Sequence, residues 1–160
     1  MKENNFFPIF VDFSGKEILV IGGGKIAYRK IVTLLKANAN ITIITKQIKE
    51  KEITKLLFNE KRVQLIMKEI SPSSFEEILT DRFFLTVAAT DNKDLNSHIV
   101  KFCNKKNMLV NNITSTDDMN TRFCSVIESE KYSIGISAKG DPKLSMLLKE
   151  KICNFLKIER

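Results

Sequence analysis

A triple glycine set between an apolar run and a helical pattern constrains this chain more than any other feature. Ile18 to Ile21 form a short apolar run that stops at Gly22-Gly23-Gly24. A helical pattern follows at once, from about Lys25 to Ala37. Strand, glycine turn and helix in that order make the geometry that cradles a pyrophosphate. Gly22 permits the tight turn. Gly24 lets the backbone approach the phosphates without a Cβ in the way, and Ala27 stands where a third small residue lets helix and strand pack closely. A phosphate would sit on the unpaired N–H groups at the helix start, favoured by the helix dipole. Gly22, Gly23, Gly24, Lys25 and Ile26 therefore read as a dinucleotide cradle. The plainer alternative is a glycine turn that only connects two elements.

The chain continues in the same alternation. Before the glycines, Pro8 to Val11 reads as a short edge strand closed by the turn Phe13 to Lys16. After them, the β-branched run Ile41 to Thr45 predicts a buried strand. An amphipathic helix over Ile48 to Glu60 and a strand over Val63 to Met67 follow. Ser73 and Glu76 have the spacing of a capping box, which predicts a helix starting near Ser74. Phe83 to Ala89 is continuously apolar, as a central strand is, and ends in Thr90-Asp91-Asn92. A helix over Asp94 to Lys105, carrying His98 on its surface, leads to a fifth strand over Met108 to Asn111. This alternation implies an α/β fold: a Rossmann-like parallel sheet with helices on both faces. Such sheets bind ligands at their carboxyl edge, which places Thr90 and Asp91 at the cofactor. In this fold a carboxylate about 20 residues after the glycines holds the adenosine ribose. Here Thr45, Lys46 and Gln47 occupy that place and no acid is present. Either Lys46 meets the 2′-phosphate of NADP, or it is a lysine of a solvent-facing loop.

After Asn112 the pattern changes. Phe123 to Ile127 and Tyr132 to Ile136 are two strands joined by a short loop, hence an antiparallel hairpin. Asp141 and Pro142 are suited to the N-cap and first position of a last helix. Its stripe of Leu144, Leu147, Leu148, Ile152, Phe155 and Leu156 serves a core or a partner interface. A hairpin and one helix are too small to fold alone. The expected division is residues 1–113 for the nucleotide-binding part and 114–160 for the rest.

Composition narrows the function classes. The net charge of +7 fits a lysine-rich surface, nucleic acid or an anionic small molecule steered by the positive field, and composition does not choose among them. The basic residues are spread along the chain, with no aromatic-interleaved patch, which argues against nucleic acid. A single histidine and three distant cysteines make neither a metal site nor a disulfide frame. They suit a reducing compartment. No apolar run approaches the ~18 residues of a membrane span, and the N-terminus leads into no signal-peptide core. A cytoplasmic location without a membrane partner is expected.

The order of pieces resembles precorrin-2 dehydrogenase, the module also found at the N-terminus of siroheme synthase. The matching stretches are Pro8-Ile-Phe, Val20 to Lys30 with Leu34-Leu35, Ala88 to Asp91 with Asn96, and Val110 to Asn112. They continue with Phe123, Ile134 to Pro142 and the helix around Leu147 to Ile152. The resemblance implies NAD as cofactor and precorrin-2, an octacarboxylate tetrapyrrole, as substrate. It implies oxidation to sirohydrochlorin in sirohaem or cobalamin biosynthesis, with Fe²⁺ insertion in some members. It also implies a homodimer built through the hairpin and last helix, with the active-site cleft near the dimer interface. The chain is too short to hold the methyltransferase domain of a full siroheme synthase. Asn112, Arg122, Ser137 and Lys139 are the expected substrate-binding residues. Ser137 matches a serine that is phosphorylated in some relatives; its plainer role is a turn hydroxyl.

One departure concerns the chemistry. The family has an aspartate shortly after the fifth strand, the candidate general base. Here Ser115 or a neighbour fills that place, and Asp117 and Asp118 come slightly later. Three readings stand: Asp117 or Asp118 has taken the role, Ser115 stands there and water removes the proton, or the chain binds nucleotide or tetrapyrrole without catalysis.

Overall fold

A computed structural model describes residues 6–158. Seven strands and five helices alternate along them, in two compact units. The larger unit, Phe10–Thr121, holds a five-stranded sheet in the order β3-β2-β1-β4-β5. The strands are β1 (Glu17–Ile21), β2 (Asn40–Thr45), β3 (Val63–Met67), β4 (Phe83–Ala88) and β5 (Leu109–Asn112), all parallel. The central strands are buried on both sides, which is why Ile18–Ile21 and Leu85–Ala88 read as unbroken rather than alternating apolar runs. β3, at one edge, leaves Ile66 and Met67 exposed.

The helices are α1 (Lys25–Lys36), α2 (Lys51–Asn59), α3 (Pro72–Ile78) and α4 (Lys93–Lys105). Sheet order runs one way from β1 to β3 and the other way from β4 to β5. Right-handed crossovers then put α1 and α2 on one face and α3 and α4 on the other. On the second face Phe75 of α3 is fully buried and meets Phe102 of α4 edge to face, with ring centroids 5.7 Å apart. The order reverses between β1 and β4, so their carboxyl ends open a crevice at the switch point.

Several boundaries differ from those read in the sequence. Residues 8–11 join no sheet: Pro8 brings no N–H, and Ile9 and Phe10 are exposed. The following turn does form, closed by Lys16 N donating to Phe13 O. α2 begins at Lys51 rather than Ile48, because the N–H groups of Lys49 and Glu50 both bond Gly23 O. α3 begins earlier than expected. Its capping box pairs Ser71 with Ser74, and Pro72 takes the first helical position, where its missing N–H costs nothing. His98 is half-buried, with Nε2 3.3 Å from Glu76 Oε1.

The larger unit also extends past residue 113. After β5 the chain folds back on it: Thr121 N and Asn120 N both reach Val110 O, and the Asn120 side chain accepts from Val110 N at 2.7 Å. The smaller unit comprises residues 6–9 with 122–158. It holds the antiparallel hairpin β6 (Ser125–Glu128) and β7 (Ser133–Ile136) and the helix α5 (Pro142–Leu156). Asp141 caps α5 by accepting from Lys143 N and Leu144 N. Ile127, Ile136 and Cys153 form its small core, with Leu148 and Ile152 packed against it.

Candidate functional site

Gly22 follows β1 and Ala89 follows β4, the Ala89 N–H bonded to Ile21 O at 2.8 Å. Gly22 sits at φ +127°, and a Cβ there would lie 2.1 Å from Ala89 O. This glycine is required by the strand ends themselves. A Cβ on Gly23 would lie 2.7 Å from Gln47 O, because the loop after β2 packs down on the glycine turn. At Gly24 the reverse holds: a Cβ would meet nothing within 4 Å. Its bare backbone faces open space at the start of α1. Gly24 is the N-cap and supplies no side-chain bond to the first turn. The first turn holds no acid and begins with Lys25, a charge the helix dipole disfavours unless an anion is nearby. Open amides, a bare glycine and a lysine at one helix start fit a pyrophosphate.

These residues line a cleft of about 510 Å³ at the carboxyl ends of the strands. Every residue expected at the cofactor lies on it. Gly22, Gly23, Gly24, Lys25 and Ile26 form its floor at the switch point. Thr45, Lys46 and Gln47 come from the end of β2, and Thr90 and Asp91 from the end of β4. Thr45 Oγ1 donates to Gln47 O at 2.8 Å and so fixes the turn that covers Gly23.

Asn96, on the first turns of α4, is fully buried and organises the opposite wall. Its Oδ1 accepts from Thr90 Oγ1 at 2.7 Å and from Thr90 N. Its Nδ2 donates to Thr90 O and to Thr114 Oγ1. One side chain thus ties together the loops after β4 and β5. Asn112 Oδ1 accepts from Thr114 N and Oγ1, while its buried Nδ2 has no acceptor.

Two ion pairs at the cleft could not be read in the sequence. Lys49 Nζ lies 2.6 Å from Asp91 Oδ2, linking the loops after β2 and β4. Hydrogen-bonded and charge-paired, the Lys49 ammonium holds the Asp91 carboxyl below the ordinary carboxylate value. Lys46 Nζ lies 2.8 Å from Glu69 Oε1, just past β3, and this bond raises the Lys46 pKa. Lys49, Lys68 and Glu69 all line the cleft. Lys49 and Asp91 are 42 positions apart, and no local pattern marks such a pair.

The expected catalytic and substrate residues fall elsewhere. Ser115, Asp117 and Asp118 lie in the turn after β5, beyond the lining of the cleft, whose last contributor there is Thr114. Ser115 Oγ accepts from the N–H groups of Asp117 and Asp118, and Asp118 Oδ2 accepts from Ser97 Oγ at 2.7 Å. Arg122, Ser137 and Lys139 belong to the smaller unit. The Arg122 guanidinium stacks 4.4 Å from the Phe6 ring centroid. Ser137 is exposed, and Lys139 adopts left-handed backbone at φ 49° in the turn before α5. Among the described residues no group of three or more His, Cys, Asp or Glu side chains is placed to hold a metal ion. No helix there is long and apolar enough to cross a membrane.

Known proteins resemble this chain. The siroheme synthase of Buchnera aphidicola subsp. Acyrthosiphon pisum is 35% identical over 149 residues, which cover 92% of this chain and 30% of the relative. That of Mannheimia succiniciproducens is 36% identical with the same coverage. The chain therefore spans about a third of the length of these relatives. Among solved structures, SirC, a precorrin-2 dehydrogenase, superposes with a TM-score of 0.75 at 28% identity, covering 93% of this chain and 70% of that one. The E. coli tRNA N6-threonylcarbamoyladenosine dehydratase TcdA, at 14% identity and a TM-score of 0.53 over 62% of this chain and 52% of that one, shares the fold alone. The resemblance read from the sequence is borne out by these relatives. Residues 9–125, which include the glycine cradle and every wall of the cleft, match the family described as putative NAD(P)-binding, and the chain belongs to that family.

Proposed function

We propose that the chain catalyses NAD-dependent oxidation of precorrin-2 to sirohydrochlorin, in the cytoplasm, on the path to sirohaem or cobalamin. The observation that carries this reading is the extent of the likeness. A nucleotide cradle alone suits many enzymes, but the match to a precorrin-2 dehydrogenase covers 93% of the chain, hairpin unit included.

The cofactor's nicotinamide would accept a hydride from the substrate, and the accompanying proton would leave to a base or to water. The chain's part is to place the reactants. The amides after Gly24 hold the pyrophosphate. Asn96 fixes the loops after β4 and β5, and Thr90 and Thr114 with them. Asn112, Arg122, Ser137 and Lys139 are proposed to bind the substrate. Asp117 is the proposed base. Asp118, which accepts from Ser97 Oγ, is the alternative base, and Ser115 Oγ accepts from the N–H groups of both aspartates.

The test is anaerobic: protein, NAD⁺ and precorrin-2 are mixed and the sirohydrochlorin spectrum and NADH are followed. Conversion is expected, and its absence at micromolar enzyme rejects the proposal. Asp117→Asn or Asp118→Asn is expected to slow turnover; unchanged rates in both reject the base assignment. A second reading is a nucleotide- or tetrapyrrole-binding module without turnover. It is favoured by one observation: both carboxylates lining the cleft, Glu69 and Asp91, are already paired with lysines. It predicts tight binding with no NADH. Insertion of Fe²⁺ into supplied sirohydrochlorin, measured against the uncatalysed rate, tests a chelatase step.

A further inference from the structure

We propose that Glu69, from the end of β3, supplies the carboxylate that binds the cofactor's adenosine ribose, and that its pairing with Lys46 makes the cleft prefer a dinucleotide without a 2′-phosphate. This rests on the dinucleotide reading of the cleft. In doubly wound sheets the adenosine ribose sits at the carboxyl end of β2, where a carboxylate commonly receives its hydroxyls. That end of β2 is Thr45-Lys46-Gln47, and none of these is an acid.

The neighbouring strand provides one. β3 runs parallel to β2 in the register Thr45 to Met67, and Lys68 N donates to Thr45 O at 3.0 Å. The chain leaving β3 therefore passes directly beside the end of β2, and Lys68, Glu69 and Ile70 join the wall of the cleft. Glu69 Oε1 accepts from Lys46 Nζ at 2.8 Å. Both side chains are well exposed, at 72% and 63%, so the pair faces the ligand space rather than the core. A carboxylate offers about four acceptor sites. Lys46 engages one oxygen and leaves the other for ribose hydroxyls. Asp91, the other carboxylate lining the cleft, stands at the end of β4, on the far side of β1.

The same pair decides against the phosphorylated cofactor. Lys46 and Lys68 alone would attract a 2′-phosphate. Paired with Glu69, Lys46 is neutralised, and a phosphate there meets a like charge. Removing the Glu69 charge frees Lys46 and reverses the preference.

The chain has no tryptophan, so the fluorescence of bound NADH and NADPH can be read without interference from indole. Dissociation constants are measured for the unaltered chain, Glu69→Gln, Glu69→Asp and Glu69→Gln with Lys46→Ala, with circular dichroism confirming each fold. The unaltered chain is expected to bind NADH about tenfold more tightly than NADPH, a difference one charge-assisted hydrogen bond supplies. Glu69→Gln is expected to weaken NADH by about tenfold and to strengthen NADPH. Glu69→Asp keeps the preference for NADH, and Lys46→Ala in the Glu69→Gln chain removes the gain for NADPH. If Glu69→Gln binds both dinucleotides with unaltered selectivity, or the unaltered chain prefers NADPH, the inference is overturned while the dinucleotide cleft stands. If the unaltered chain binds neither, the cleft reading falls and the inference with it.

Discussion

Gly22 and Gly24 stand two positions apart and are needed for opposite reasons. Gly22 serves the fold: its φ of +127° and the 2.1 Å approach of a Cβ to Ala89 O leave no room for a side chain against rigid backbone. Gly22→Ala is expected to cost about 3 kcal/mol or more, since both a strained backbone and a main-chain overlap arise together. Gly24 serves the ligand: its backbone is ordinary and its missing Cβ faces open space. Gly24→Ala is expected to change stability by less than about 1 kcal/mol yet to weaken dinucleotide binding at least about tenfold, because the methyl group occupies the phosphate approach. Chemical denaturation read beside NADH titration separates the two. Equal loss of stability in both variants would refute the division of labour. Cys103 is a third kind of residue: burial pushes its thiol up to about 11, which keeps it protonated and inert in the core.

At the scale of elements, the cleft is held by ties between strand ends rather than by the strands. Asn96 joins the ends of β4 and β5 through four hydrogen bonds to Thr90 and Thr114. Asn96→Ala is expected to cost about 2–3 kcal/mol, since it removes a fully buried amide and its hydrogen bonds to half-buried partners. Amide exchange should accelerate at Thr90 and Thr114 while the amides of β1 stay protected; uniform acceleration would show global loosening instead. The Lys49–Asp91 pair ties β2 to β4 in the same way. The Asp91 pKa is lowered in the fold, so its contribution is present above the unfolded value of 3.8 and fades as pH falls through the lowered one. A carbon-detected titration of Asp91 is expected to show a midpoint below that value, and Lys49→Ala to raise that midpoint. How much was legible in the sequence divides along the same line. The inner strands β1, β2 and β4 were readable because strands buried on both faces are near-continuous apolar runs. The cradle was readable because the glycines, Lys25 and Ile26 are adjacent. Residues 8–11 misled because a proline-led apolar stretch looks like an edge strand whether or not a sheet edge receives it. Lys49, Lys68 and Glu69 went unseen because each meets the cleft only through the lateral order of β3, β2, β1 and β4. The capping box moved by two residues because Pro72 fits the first helical position better than Ser73 fits a cap.

At the scale of the whole molecule, the two units differ in what they bury. The sheet unit encloses a large core. The hairpin unit buries little beyond Ile127, Ile136 and Cys153. The stripe of α5 read as one face in the sequence is in fact divided. Leu148 and Ile152 turn toward the hairpin, while Leu144, Leu147 and Phe155 are exposed, Phe155 at 84%. These three fall within about 80° around the helix axis and make an apolar strip interrupted by the exposed Lys151. Such strips mark interaction surfaces. We propose a second copy of this chain as the occupant, in keeping with the homodimer implied by the resemblance. A two-fold interface sets the same patch against itself, and a strip along a helix of 15 residues is suited to antiparallel self-pairing. Sedimentation equilibrium at micromolar concentration is expected to give twice the 18.3 kDa chain mass. Leu147→Glu with Phe155→Glu is expected to give the single-chain mass with an unchanged far-ultraviolet spectrum, because both side chains are exposed in the lone chain. An unaltered chain that sediments at 18.3 kDa refutes the dimer. A double variant that remains dimeric moves the interface off α5. NADH binding should survive in the monomeric variant, since every residue lining the nucleotide cleft lies in the sheet unit. Turnover of precorrin-2 is expected to fall if the second copy completes the substrate site, and that contrast between retained cofactor binding and lost turnover is the sharpest reading of what the α5 strip does.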